Sequence, residues 1–353
     1  MKLSYLKYLK CFCDSEQFSV YRFENDSFKQ LTTINDEEII DMGLLLCNSC
    51  HRYYPINDGI LNMLPDNLFE KESDNFIKKY NYLLPEACRK RENIVVNKFE
   101  VEETAINKKN EIKARNQQAD IYYTYGYWLY GLNEQKVFRG FLKPSPQDII
   151  IELGCGTGRL TKEMIDGGFS EYIAIDFSEK SIQLLLNELD LDNETKNRIL
   201  FIKGDVCSLP LKGKIADKVL SAQVFEHIPG AKEQLRFIKE LQRVLSLNGL
   251  AALTIYNYNI VKKYKKIPKK GFHGGGTYYE NFTRKEVEKL FKPYFMIKKI
   301  YCLNSFFPFA KRFSVRIQQF VESILSKTAL NSILGDIIFI SLTHYSSNNP
   351  VND

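Results

Sequence analysis

The chain has 353 residues, 44% of them hydrophobic and 26% charged, with a formal net charge of +6. This suits a globular protein with one main domain and a smaller companion, and it excludes a chain too polar to bury a core. Apolar runs are only a few residues long, and the greasy C-terminal region is broken by Lys311, Arg312 and Arg316, so no transmembrane segment is expected. The opening "MKLSYLKYLKCFC" lacks the apolar stretch and small-residue cleavage site of a secretory signal, so a cytoplasmic location is expected. The modest positive charge points weakly to an anionic partner, whether nucleic acid, membrane surface or acidic metabolite.

Residues 1–65 read as short strands and turns, with "YRFEND" and "YYPINDG" closing on Asn, Asp and Gly. Cys11, Cys13, Cys47 and Cys50 fall here, whereas Cys88, Cys155, Cys207 and Cys302 are scattered singly, which argues against a disulfide framework. Four thiolates in two close pairs suit tetrahedral zinc, which would stabilise a unit too small to depend on its own core. The stretch "CNSCHRYYPINDGILNMLPDN" resembles the Trm112-like family of small zinc-ribbon-like proteins, with Cys47 and Cys50 at its second knuckle. The first pair departs from that pattern: Cys11 and Cys13 form C-x-C, one residue short, which leaves one structural zinc and a metal-free ribbon as the two readings. Members of that family activate separate methyltransferases acting on transfer RNA, ribosomal RNA and a translation factor. The resemblance therefore implies an activator-like module fused in cis.

Residues 66–146 are rich in Lys, Asn and Glu with apolar spacing of helical period in pieces, which predicts a helical connector and cap. Its end, "DIYYTYGYWLYG", carries six aromatics including the only tryptophan, Trp128. Tyr123 and Tyr127 are spaced for one helical face. Tyr123 and Trp128 are candidate substrate contacts on a cap that excludes water. The alternative is an aromatic packing face.

Across residues 147–346 short apolar runs ("IIIEL", "YIAIDF", "ILFIKGD", "KVLSAQV", "LAALTIY") alternate with amphipathic stretches, the pattern of an α/β parallel sheet covered by helices. "GCGTG" follows the first run as G-x-G-x-G, without the wider third spacing of the dinucleotide fingerprint, and Glu152 would repel a diphosphate. A cationic, phosphate-free adenosine compound suits such a loop, and it calls for further acids on the ribose and the adenine. Asp176 and Asp205 end the second and third runs in the right order. The constellation resembles the class I S-adenosylmethionine-dependent methyltransferases from about Gln147 to Asn257 and again near the end. That resemblance implies a Rossmann-like seven-stranded sheet with the last strand antiparallel, and S-adenosylmethionine as cofactor. Glu152, Gly154, Cys155, Gly156, Thr157, Gly158, Asp176, Phe177, Asp205, Val206 and Gln223 become its candidate binding residues, with Asp176 on the ribose and Asp205 with the Val206 N–H on the adenine.

Gln223, Glu226 and His227 follow the fourth run, where the resemblance places the floor of the site, and His227 either orders the loop or serves as general base. No Asn-Pro-Pro-Tyr signature follows, which counts against methylation of DNA adenine or protein glutamine. "LSLNGLAALTIYN" resembles the Asn-Gly turn and fifth strand of the family. Lys262, Lys263, Lys265, Lys266, Lys269 and Lys270 then lead into Gly274–Gly276, after which "TYYENFTRKE" predicts a helix. "FHGGGTYY" resembles a segment of small-molecule and lipid methyltransferases, and loosely also the end of transfer-RNA wobble methyltransferases, so His273 and Tyr278 are candidate substrate contacts, with Tyr256 a further one. The lysines suit a solvated loop, a phosphate-bearing substrate, RNA or an anionic head group equally. A helical insertion at 304–335 includes Phe306, Phe307, Phe309, Phe313, Ile317, Phe320 and Ile324 in an amphipathic pattern, which predicts core packing or peripheral contact with a membrane. A small-molecule or lipid-linked acceptor is the first expectation. RNA is the second, and a non-catalytic scaffold the third.

Overall fold

The computed structural model describes residues 1–69, 75–89, 102–125, 129–189, 191–305, 315–325, 328 and 330–345. After a 3-10 turn at Leu3–Tyr8 come β1 (Phe18–Glu24), β2 (Ser27–Gln30), β3 (Gly43–Cys47), β4 (Tyr53–Asn57) and β5 (Ile60–Met63), then helices α1 (Asn75–Tyr80), α2 (Glu86–Arg89), α3 (Glu102–Tyr125) and α4 (Leu129–Leu142). The alternating part holds β6 (Ile149–Leu153), α5 (Thr161–Ile165), β7 (Glu171–Asp176), α6 (Glu179–Glu188), α7 (Asn193–Lys196), β8 (Ile199–Gly204), β9 (Ala216–Ala222), α8 (Ala231–Val244) and β10 (Leu245–Tyr256). The chain continues through α9 (Ile260–Tyr264), β11 (Lys270–Phe272), β12 (Tyr278–Glu280), α10 (Arg284–Phe291), β13 (Met296–Leu303), α11 (Val315–Leu325), α12 (Leu330–Leu334) and β14 (Ile337–Thr343).

The main sheet runs β13-β14-β10-β9-β6-β7-β8-β5-β4-β3-β1-β2. Its first seven strands in that order are the expected sheet: β6 to β10 pair in parallel, and β14 lies antiparallel between β10 and β13. The chain leaves β6 toward β7 and β8, then returns to place β9 on the other side of β6. That reversal opens a crevice at the carboxyl ends of β6 and β9, where ligands of open α/β sheets bind. The helices bury apolar stripes on the sheet: α8 turns Phe237, Ile238, Leu241 and Val244 inward, a spacing of helical period.

The N-terminal strands do not form a separate sheet. β5 pairs in parallel with β8, from Ile60 opposite Phe201 to Met63 opposite Gly204, which carries the sheet on to twelve strands. The seam covers the N–H and C=O groups that β8 would otherwise expose as an edge. Leu9 bridges Leu211, and the Lys212 N–H donates to the Tyr8 carbonyl at 2.8 Å. One apolar core contains Leu9, Tyr54 and Leu61 together with Ile173, Ile202 and Leu211.

Three local features differ from expectation. Asn248 and Gly249 fall in an irregularity inside β10 instead of a turn before it, and a Cβ at Gly249 would stand 2.8 Å from the Ala216 carbonyl oxygen across the ladder. The "TYYE" segment is β12, hairpinned on β11, and the helix begins only after Thr283, whose side chain and Glu286 form a capping box. In α11, Ile317, Phe320 and Ile324 are exposed instead of packed in the core; Phe306, Phe307, Phe309 and Phe313 lie outside the described residues.

Leu61, wholly buried at the β5–β8 seam, tests whether the sheet is one cooperative unit. Leu61→Ala is expected to cost about 2–5 kcal/mol in a single urea transition followed by far-ultraviolet circular dichroism. A separate early transition that leaves the remaining structure at wild-type stability would contradict this.

Candidate functional site

The chain leaves β6 through Gly154, Gly156 and Gly158, with φ of 79°, 51° and 87°. A Cβ would stand 2.3 Å from Val224 Cγ2 at Gly154 and 2.1 Å from Leu185 Cδ1 at Gly158, so packing as well as backbone angle demands glycine there. At Gly156 nothing lies within 4 Å, and the residue borders a cleft of about 1330 Å³, its mouth included. The loop is pinned to β7: Gly154 and Cys155 N–H groups donate to the Ile175 carbonyl at 2.8 and 3.0 Å.

The acids line the same cleft. Asp176 accepts the Gly156 N–H on Oδ2 and the Ser178 N–H on Oδ1, each at 2.8 Å. Burial nevertheless pushes its carboxyl above the usual range. Glu152 accepts the hydroxyls of Thr161 at 2.6 Å and Tyr172 at 2.7 Å, both on Oε2, and burial raises its carboxyl to about 7. Asp205 accepts the Cys207 N–H at 2.9 Å and the Lys108 ammonium at 2.6 Å, and Lys108 also pairs with Glu233. The ligand atoms of Asp205, Cys207 and Glu233 lie within 4.8 Å of one another, and the cation they face is this lysine. Cys155, Thr157, Phe177, Val206 and Gln223 also line the cleft, whereas Gly158, predicted with them, packs on Leu185 and is not among the lining residues.

Lys108 belongs to α3, which contributes a polar face to the cleft. Arg115 donates to Glu111 at 2.9 Å, Glu111 accepts the Tyr278 N–H at 2.9 Å, and Asn116 accepts the Ser178 hydroxyl at 2.8 Å. Lys108, Glu111 and Arg115 line the cleft and escaped the sequence reading, which looked for an apolar stripe. The available signal was Lys108, Glu111 and Arg115 at helical spacing in a segment with no apolar face. Tyr123 lies on α3 with only its backbone described, and Tyr127 and Trp128 lie outside the described residues.

At the far end of the cleft, His227 Nδ1 is 2.6 Å from the Tyr278 carbonyl oxygen. A carbonyl only accepts, so Nδ1 carries the proton and Nε2 keeps a lone pair. Nε2 is buried without a hydrogen-bond partner, and burial, with Arg115 adding to it, holds the imidazole neutral. The Tyr256 and His273 rings lie 5.6 and 6.1 Å from that of His227, His273 standing at the exposed tip of the β11–β12 hairpin. Neither carboxyl oxygen of the wholly buried Glu226 has a hydrogen-bond partner, and burial raises this group to about 8. Gln223, at φ 55°, donates to Glu134 at 2.8 Å, and the buried Glu134 also takes Arg159 and the Thr254 hydroxyl. Glu134, too, carried no sequence signal, being one polar residue in an amphipathic helix.

The cysteines converge away from the cleft. Cys11 Sγ is 3.5 Å from Cys50 Sγ and Cys13 Sγ 3.6 Å from Cys47 Sγ, and all four sulfurs lie within 4.8 Å of one another. A zinc–sulfur tetrahedron has edges of about 3.8 Å. The donor set therefore fits zinc, and the short C-x-C pair reaches it through a turn that places Asp14 at φ 64°. Burial opposes ionisation of Cys47, yet the N–H groups of Cys50 and Ser49 bring it down to about 7. The Tyr54 hydroxyl is 3.1 Å from Cys11 Sγ, a contact that orients the thiol.

Residues 151–253 match a family model described as a methyltransferase domain. That stretch of the chain is a methyltransferase domain. Two curated proteins are similar to part of the chain: an uncharacterized methyltransferase-like protein of Schizosaccharomyces pombe is 33% identical over 106 residues, 30% of this chain and 37% of that one. A highly reducing polyketide synthase of Aspergillus terreus is 29% identical over 122 residues, 33% of this chain and 5% of its own length. The chain thus spans well under half of either relative. Among solved structures, a Haloferax volcanii complex of the Trm112 methyltransferase activator with a methyltransferase is similar at a TM-score of 0.48 and 14% identity, covering 68% of this chain and 99% of that one.

The buried acids of the methyltransferase domain set a pH dependence. Glu152 and Glu226 hold protons in the folded chain that the unfolded chain releases above its ordinary value of 4.5. The stability they confer is therefore full below 4.5 and falls as pH rises, levelling past about 7 for Glu152 and about 8 for Glu226. Calorimetric melting across this window should show a shallower fall for Glu226→Gln than for wild type; identical slopes would contradict the assignment.

Proposed function

We propose that the chain transfers a methyl group from S-adenosylmethionine to a small-molecule or lipid-linked acceptor. The observation that carries this is the arrangement of Glu152 and Asp176 about the open backbone at Gly156, which favours a cation and disfavours a diphosphate. When bound, the cofactor supplies a sulfonium methyl carbon open to in-line attack. Asp176 retains lone pairs for the two ribose hydroxyls. Asp205 and the Val206 N–H serve the adenine, with Lys108 fixing the Asp205 carboxylate. Cys155, Thr157, Phe177 and Gln223 shape the walls of the cleft. His227 receives the acceptor's proton on Nε2, held to that tautomer by the Tyr278 carbonyl, while Tyr256, His273 and Tyr278 flank the acceptor.

The N-terminal module serves this site in cis, with one structural zinc on Cys11, Cys13, Cys47 and Cys50. Supporting this, β5 pairs with β8 up to Gly204, the residue before Asp205, and Leu64 and Leu68 pack against Ala105 of α3 with Phe177 beside them. A second reading, RNA as acceptor, is favoured by the lysines of 262–270 and by the module's resemblance.

Asp176→Ala is expected to weaken binding of S-adenosylmethionine roughly ten- to a hundredfold through lost hydrogen bonds to a charged acceptor, measured by titration calorimetry; unchanged affinity would remove Asp176 from the ribose. Elemental analysis of protein prepared without chelator should give one zinc per chain, and substoichiometric metal would support the metal-free ribbon. The activity itself is tested by incubating the protein with labelled methyl donor and fractionated cell extract. Label in lipids or small molecules is expected. Label in RNA would overturn the acceptor class, and no label in any fraction from protein that binds the donor would favour the scaffold.

A further inference from the structure

The helices at 315–334 are amphipathic the wrong way round for a packed core. Among the described side chains of α11 the buried one is Glu322, whose carboxylate takes the Asn304 and Ser305 N–H groups at 2.7 and 2.9 Å, while Ile317, Phe320 and Ile324 are exposed, Phe320 66% accessible. Among the described side chains of α12 the buried one is Asn331, bonded to the Ser305 hydroxyl at 2.6 Å, while Leu330 and Ile333 are exposed. Polar side chains of both helices meet at Ser305, while Ile317, Phe320, Ile324, Leu330 and Ile333 are exposed. A stripe of this kind marks a contact surface, not a solvated face.

α9 adjoins them. Its cap residue Asn259 donates to the Leu334 carbonyl at 2.9 Å and to Asp336 Oδ1 at 2.6 Å, which sets the helix against the end of α12. α9 repeats the pattern with Ile260 and Tyr264, the tyrosine 88% accessible. Lys263, Lys265 and Lys266 stand exposed around it, and exposed Lys270 precedes exposed Phe272 on β11. Among the described residues no carboxylate pairs with Lys263, Lys265, Lys266 or Lys270. Apolar side chains rimmed by exposed lysines, of which Lys263 sits over the Tyr258 ring at 5.7 Å, match the interface of an anionic bilayer, where rings and aliphatic chains enter the acyl boundary and ammonium groups stay among the head groups. A nucleic acid would be met by the lysines but would leave the apolar rows uncovered, so the observations favour the membrane. No helix among the described residues is long and apolar enough to cross a bilayer, which fits attachment from one side.

We infer that α9, α11 and α12 form a docking face for an anionic lipid surface. The chain runs on from α9 into the β11–β12 hairpin, whose tip carries His273 to within 6.1 Å of the His227 ring at the acceptor end of the cleft. Docking would therefore bring that end of the site to the membrane, which deepens the reading of a lipid-linked acceptor and in that respect rests on it; binding to the surface itself does not.

The test is flotation of the full chain with vesicles of phosphatidylcholine alone and of phosphatidylcholine with phosphatidylserine, at low and high salt. Binding is expected only with phosphatidylserine. It should weaken with salt, fall roughly fivefold for each lysine lost in Lys265→Gln/Lys266→Gln, and disappear in Phe320→Ser/Ile324→Ser. Circular dichroism and cofactor titration of the same variants check that they fold. Absence of wild-type binding to either vesicle would overturn the inference, as would RNA binding through the same lysines without vesicle binding, or self-association abolished by Phe320→Ser/Ile324→Ser. Vesicle binding by protein that takes up no S-adenosylmethionine would leave the docking face standing and sink the proposed function instead.

Discussion

Carboxylates buried at the carboxyl ends of adjacent strands are the constraint around which this structure is arranged. A buried charge must find a compensating partner or give up its ionisation. Asp205 finds Lys108, Asp176 finds two backbone N–H groups, and Glu152 finds only two hydroxyls, so its carboxyl rises to about 7. A cationic ligand would relieve that remaining imbalance, and an anionic one would worsen it. The glycine loop, the order of β6, β7 and β8, and the polar roof of α3 all position this set of charges.

The continuous sheet explains how the N-terminal module can matter to a site it does not line. Parallel pairing of β5 with β8 ends at Gly204, next to Asp205, so the ladder that seals the sheet edge also fixes an acid of the cleft. The chain then leaves β5 through Leu64 and Leu68, which touch α3 at Ala105. Module, strand and roof are therefore linked by packing, and a zinc site that organises the first sixty-five residues would act on the cleft through the sheet.

Much of the site was legible because it obeys local rules. Apolar runs ending in Gly154, Asp176 and Asp205 announce strand ends, and the glycine spacing announces a turn at positive φ. The cysteine pairs were equally visible, although spacing alone left the C-x-C pair unsettled until the turn at Asp14 brought its sulfurs to the others. What stayed hidden depends on distant partners. Nothing local marks Ile60–Met63 as the neighbour of Phe201–Gly204, since the two are far apart in the chain. Lys108, Glu111 and Arg115 were not singled out within the predicted connector and cap, because charge pairing across a cleft has no apolar period. The outward stripe of α11 was seen, but its direction was set by Glu322 reaching Asn304 and Ser305, a contact outside any sequence pattern.

The claim beneath all of this is that the cleft prefers a positively charged adenosine compound without phosphates. Equilibrium dialysis of the purified chain against S-adenosylmethionine and against a nicotinamide dinucleotide, each alone and in competition, measures that preference directly. The account predicts saturable uptake of the sulfonium compound that the dinucleotide does not displace. Uptake of the dinucleotide, with the sulfonium compound excluded, would contradict it.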